Sequence, residues 1–206
     1  MSRSRVIPMS DHSAEITSED IRPTILPDDF LETALAREVR AFRMPRFNQI
    51  PDVELYREQV ISFVDSVLAP LAPCVEGPWL TPSMVNNYVK AHLIAAPQKK
   101  LYGRDQIARL VVICIFKQAL SISAISELFA IQKMTYITDV AYDYVATELE
   151  HALAQFFTTE AKAPRDSASR VTRESLLVRS AVLAFAAKAH LVGYLSFLGY
   201  QENAQR

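Results

Sequence analysis

The spacing of apolar and polar positions divides the chain into helical stretches separated by proline breaks. Residues 1 to 27 are polar, dotted with prolines and without period, the pattern of an arm that lacks a core of its own. Asp28 or Asp29 is placed to cap a helix running to about Arg43, which "MPRFNQIPD" then breaks. Tyr56, Val60, Phe63, Val64 and Val67 recur at helical intervals and predict a helix over 53–69, ending before Pro70. After the loop "PLAPCVEGPW", Thr81 is a good N-cap and Pro82 suits the first helical position, so a further helix is expected over 82–91. Pro97 prevents its continuation. Leu93 to Tyr102, apolar at both ends around Gln98, Lys99 and Lys100, reads as a short hairpin with a basic tip, or else as an ordinary exposed loop.

Beyond it, Ile107, Leu110, Val111, Cys114 and Ile115 form a helical stripe, and Val112, Ile113 and Phe116 extend it nearly all round, as in a helix buried centrally. Ser121 caps a second short helix carrying Ile122, Ile125 and Leu128. An amphipathic helix over 137–159 follows, with Val140, Ala141, Tyr144, Val145, Leu149, Leu153 and Phe156 on its apolar side. Glu148, Glu150 and His151 are read as its solvated surface. "TEAKAPRDSASR" is a polar linker, and Thr172 caps a last helix over 172–200. The Ala-rich middle of that helix, Ala181 to Ala189, lets a partner helix approach closely, whether in a dimer or by packing back on 137–159.

Composition sharpens this picture. Four glycines against 26 alanines leave little material for tight hairpins, and nine of the eleven prolines lie at or before Pro82, so the C-terminal half is expected to be all-α. The stretch from Leu176 to Tyr200 is apolar enough to raise the question of a membrane, but Arg179, Lys188 and His190 interrupt it and it reads as a buried or oligomerising helix. The N-terminus has no apolar run of signal-peptide length, and Cys74 and Cys114 fit neither a disulfide framework nor a metal knuckle, so a reducing cytoplasm is the expected location.

Net charge is −1, which makes no global case for a nucleic-acid or membrane partner. Its distribution is less even. From Thr81 to Gln118 there are six basic residues, Lys90, Lys99, Lys100, Arg104, Arg109 and Lys117, against the single acid Asp105. On the 82–91 helix Ser83, Asn86, Asn87 and Lys90 share one face, with Val85, Tyr88 and Val89 opposite. An asparagine amide can bond adenine N6 and N7, and a lysine can reach guanine or a phosphate, so this face has the chemistry of a base reader as well as that of a plain solvated stripe. Lys99, Lys100 and Arg104 are placed to hold phosphates.

The order "MVNNYVKAHLI", basic hairpin, "LYGRDQIARLVVICIFKQALSISAISELF" resembles the winged helix-turn-helix of MerR-type transcription regulators. Tyr88, Leu93 and Ile94 match that family's helix-to-wing positions, and Tyr102, Asp105, Arg109, Leu110, Ile113, Lys117, Ser121 and Ile125 match its post-wing helices. The blocks "MPRFNQIPDVELYREQV" and "NNYVK" also resemble an uncharacterised bacterial family, domain-of-unknown-function family eighteen-thirty-six. There are departures from the MerR pattern. Asn86 and Asn87 stand where MerR proteins usually carry Arg and Tyr, His92 replaces a glycine, and the turn near Leu120 is one residue shorter. The resemblance implies a mainly α fold: a winged helix-turn-helix over 28–131, then a C-terminal helical region over 132–206 that dimerises. It also implies a sequence-specific regulator of double-stranded DNA working as a homodimer.

The alternative is a helical protein-interaction module that uses the winged fold without DNA. An enzyme is not expected: His12, His92, His151 and His190 show no ligand spacing, and there is no phosphate loop or nucleophile elbow. No metal or other cofactor is expected, two dispersed cysteines being too few for a metal sensor. A small-molecule effector is left open. Tyr136, Tyr144, Phe156, Phe157, Phe185, Tyr194 and Phe197 could line an apolar pocket or simply fill the core.

Overall fold

Helices dominate residues 28–158 and 166–198, which are those described in this computed structural model. The arm expected over 1–27, the 159–165 part of the linker and the last residues of the final helix lie outside them. Asp28–Glu32 is a 3-10 turn, and α1 (Ala34–Ala41) begins only after it. The cap is Thr33 rather than Asp28 or Asp29: its Oγ1 accepts from the Ala36 N–H at 3.1 Å and donates to the Phe30 carbonyl at 2.6 Å.

The helix expected over 53–69 is shorter than its apolar period, because Leu55 and Tyr56 are drawn into a strand. This strand, β1 (Leu55–Tyr56), precedes α2 (Arg57–Leu68) and pairs antiparallel with β2 (Leu101–Tyr102), Leu55 opposite Tyr102 and Tyr56 opposite Leu101. α3 (Pro82–Lys90) has the expected cap, Thr81 Oγ1 accepting from the Met84 N–H at 3.2 Å. α4 (Arg104–Phe116) is the central helix its all-round apolarity predicts, with Ile107, Ala108 and every residue from Leu110 to Phe116 buried. Ser121 caps α5 (Ile122–Thr135), which runs two turns past the expected Leu128.

α6 (Thr138–Phe156) and α7 (Arg173–Phe197) form the most extensive helix pair. Packing back on α6 accounts for the small residues of α7: Ala181, Ala186 and Ala189 are buried with Val182 and Phe185. Gly193 serves a close approach, since a Cβ there would lie 3.3 Å from Phe30 Cζ. By length and composition α7 could also cross a bilayer, with a mean hydropathy of 1.5 over its most apolar window. The same core joins α1, α4, α6 and α7, so the regions before and after residue 131 share their apolar interior.

Glu148 corrects the surface assigned to α6. It is 2% exposed, and it sits on the apolar stripe between Val145 and Ala152. Arg179 Nε of α7 pairs with it at 2.9 Å, the Ser167 N–H and hydroxyl both donate to it, and His151 Nδ1 lies 3.6 Å away. A buried carboxylate is tolerable only with such partners. Glu150, by contrast, clasps the break after α1: it accepts from the Met44 N–H at 3.0 Å and pairs with Arg46 at 3.0 Å, while Asp143 accepts from the Phe47 N–H at 2.7 Å.

Candidate nucleic-acid interface

α3 lies with Val85 and Tyr88 against the core and Ser83, Asn86, Asn87 and Lys90 in solvent. The helical period sorts the residues as the sequence predicts. Among the described residues, neither asparagine side chain has a hydrogen-bond partner in the fold. Both amides are therefore free to bond elsewhere.

The seating of α3 depends on the residue pair before it. Trp79 is buried, and its carbonyl accepts two hydrogen bonds from α4 and its end, one from Cys114 Sγ at 3.2 Å and one from Lys117 Nζ. Burial pushes the Cys114 thiol up to about 12, which keeps it a protonated donor and an unreactive one. Burial also lowers the Lys117 ammonium, against the pull of Cys114 and Asp65. Lys117, counted in the basic stretch, is thus spent on the fold.

α3 ends in a turn that normally needs glycine. The Leu93 N–H donates to the Tyr88 carbonyl at 2.9 Å and the His92 N–H to that of Val89 at 3.0 Å, which places His92 in the left-handed region at φ 55°. Leu93 and Ile94, read as one arm of the hairpin, are instead buried in the core and form no strand. The basic tip itself is present. Gln98 and Leu101 exchange hydrogen bonds at 3.2 and 2.8 Å across Lys99 and Lys100, whose φ values are 48° and 68°. Two consecutive positive φ values define the mirror-image tight turn for which Asn-Gly is the usual pair. Here two exposed lysines occupy it. The strand leaving the tip pairs with β1 rather than with 93–97, because Pro97 cannot donate to a ladder and Leu93 and Ile94 gain more in the core.

Arg104 is held from several sides. Its Nη2 pairs with Asp52 at 3.1 Å, its Nε donates to the Ile50 carbonyl at 3.0 Å, and its guanidinium lies 5.7 Å from the Phe47 ring centroid. A phosphate would have to compete with those contacts. Arg109 packs over Phe129 at 4.9 Å and donates to Gln132 Oε1 at 2.9 Å. Sequence reasoning missed Gln106, which stitches the tip segment to α4: its Oε1 accepts from the Gly103 N–H at 2.7 Å and its Nε2 donates to the carbonyls of Ala95 and Ala96 at 3.0 and 3.3 Å. Its signal is position, three residues after Gly103 in the first turn of α4, where a side-chain amide can reach back to the open backbone.

Both cysteines are buried and free. Among the described residues no three His, Cys, Asp or Glu side chains gather as metal ligands.

A family match described as Domain of unknown function (DUF1836) covers residues 45–151, and the chain belongs to that family. Its limits fall close to the clasp in which Glu150 holds Met44 and Arg46. No curated protein and no solved structure matches the chain.

Proposed function

We propose that the chain is a sequence-specific DNA-binding transcription regulator of MerR-like winged helix-turn-helix type, with α3 entering the major groove. In this reading α2 and α3 form the helix-turn-helix, the Lys99–Lys100 turn is the tip of a reduced wing, and α4 follows it. Asn86, Asn87, Lys90 and Ser83 meet base edges; Lys99 and Lys100 meet phosphates, and Arg104 orders the start of α4 while remaining partly exposed. The observation that carries this is the lysine pair. Holding two lysines at positive φ costs about 1–2 kcal/mol each, where Asn-Gly would cost less. Strain kept at an exposed tip favours a use for those two charges over mere tolerance.

A homodimer would double the contact and impose two-fold half-sites. Support for it comes from the outer side of α7, where Ala184, Leu191 and Leu195 are exposed at intervals of seven and four, followed by exposed Leu198 at the C-cap. The second reading, a protein-interaction module, draws on a different observation: Met134, Tyr136, Ile137 and Val140 are exposed together at the junction of α5 and α6.

Titration of labelled mixed-sequence duplex DNA at two salt concentrations separates the two. A reader of DNA binds at low salt and loses affinity steeply at the higher one through counterion release. Absence of binding at both concentrations would reject it in favour of the protein-interaction module.

A further inference from the structure

The two limbs of the Lys99–Lys100 turn are held unequally. The leaving limb, Leu101–Tyr102, pairs with β1, and Arg104 just beyond it is tied to Asp52 and the Ile50 carbonyl. The entering limb has no ladder. Leu93 and Ile94 are sunk in the core and Gln98 is bridged to Leu101, but Ala95 and Ala96 between them are exposed and Pro97 has no N–H to donate. Among the described residues, one side chain holds them: Gln106 Nε2 donates to the Ala95 and Ala96 carbonyls at 3.0 and 3.3 Å. Its Oε1 accepts from the Gly103 N–H at 2.7 Å, where the leaving limb enters α4.

A single planar amide therefore closes the base of the 95–103 loop, accepting from one limb and donating to the other. Glutamate would serve only the first purpose, since a carboxylate cannot donate to two carbonyl oxygens. The anchor is rigid: α4 is buried through Ile107, Ala108 and Leu110, in the core that also takes Val85 and Tyr88 of α3. The turn needs such an anchor, because lysines at φ 48° and 68° relax once the limbs part. We propose that Gln106 is the positioning residue of the DNA interface, fixing Lys99 and Lys100 relative to Asn86 and Asn87 so that the lysines meet phosphates without first being ordered. This role rests on the reading of α3 as a DNA reader; the hold on the turn does not, and the two are tested apart.

Amide hydrogen exchange on the full chain, without DNA, tests the hold. Gln106→Glu should keep the Gly103 N–H protected while the Gln98 and Leu101 N–H groups exchange about fivefold faster, and Gln106→Met should speed all three. Titration of labelled mixed-sequence duplex at low salt tests the role. Gln106→Met is expected to weaken binding about fivefold in the native chain and to have no effect once Lys99→Ala and Lys100→Ala are present. A residue that merely stabilised α4 would weaken binding equally in both backgrounds. Gln106→Ala takes the place of the methionine variant if that one does not fold. The proposal is overturned by equal losses in the two backgrounds, by an unchanged native affinity, or by exchange at Gln98 and Leu101 that no substitution alters. Absence of binding by the unsubstituted chain would instead reject the DNA reading, and this role with it, while the exchange result stands by itself.

Discussion

Asn86 and Asn87 project into water from a helix whose other side is sealed, so their replacement should leave folding untouched and, on the proposed reading, alter only recognition. Asn87→Ala is expected to leave the melting temperature unchanged, cost about 1–3 kcal/mol on a preferred duplex and relax base preference there. Equal loss on every sequence, in a competition binding assay, would deny the residue a reading role. The Lys99–Lys100 turn allows a sharper separation. Replacing both by glycine relieves two left-handed lysines and should raise stability by about 0.5 kcal/mol per residue in urea unfolding, while DNA affinity falls evenly and its salt slope flattens by roughly two. Opposite signs for stability and binding are what a functional charge pair predicts. Of these residues the α3 stripe was legible from helical spacing alone. The φ of His92, Lys99 and Lys100 was not, since any residue in a tight turn can be forced left-handed by the hydrogen bonds around it.

α1, α3, α5 and α7 begin where a side chain accepts from their open N–H groups. Thr33, Thr81, Ser121 and Thr172 all do so, and three of those caps were visible from residue type and following pattern. Thr33 was passed over for Asp28 and Asp29 because the 3-10 turn between them leaves no pattern of its own. Thr81→Ala should cost about 1 kcal/mol in chemical unfolding and, by loosening the start of α3, weaken DNA binding on all sequences alike. The connection into α7 responds to acid. Burial alone would raise the Asp166 carboxyl, but hydrogen bonds from the Ala168 N–H and the Tyr144 hydroxyl, with the Arg179 charge, leave it below its ordinary 3.8. Its stabilising effect is then complete above that value and is lost as pH falls through the lower folded value. Asp166→Asn should remove that acid-limb slope from a plot of melting temperature against pH.

Across the whole molecule, His190 joins α7 to the N-terminal turn. Its ring lies 5.5 Å from that of Phe30, 5.4 Å from Phe157 and 6.0 Å from Tyr194. Burial there holds the imidazole below its ordinary 6.5, so on acidification the unfolded chain takes up a proton before the folded one does. Stability from this cluster is present above 6.5 and declines as pH drops below it. His190→Phe should flatten the loss of thermal stability between about pH 7 and 5.5. The outer side of α7 is tested separately: Leu191→Glu with Leu195→Glu should leave a folded monomer in sedimentation if that face joins two copies, and an unchanged mass would rule it out.

What the chain determined by itself is what depends on neighbours a few residues away: helix positions from apolar period, most caps, the buried character of α4, and the polar face of α3. Tertiary structure decided whatever depends on distant partners. β2 paired with β1 across 44 intervening residues because Leu93 and Ile94 had gone to the core. Glu148 became an interior ion because Arg179 arrives from α7, Lys117 turned inward to the Trp79 carbonyl, and Arg104 was tied at the surface to Asp52 and the Ile50 carbonyl. A local pattern records which side of a helix is apolar, whereas a charge's partner is chosen only when two remote segments meet, and nothing in either segment announces the other.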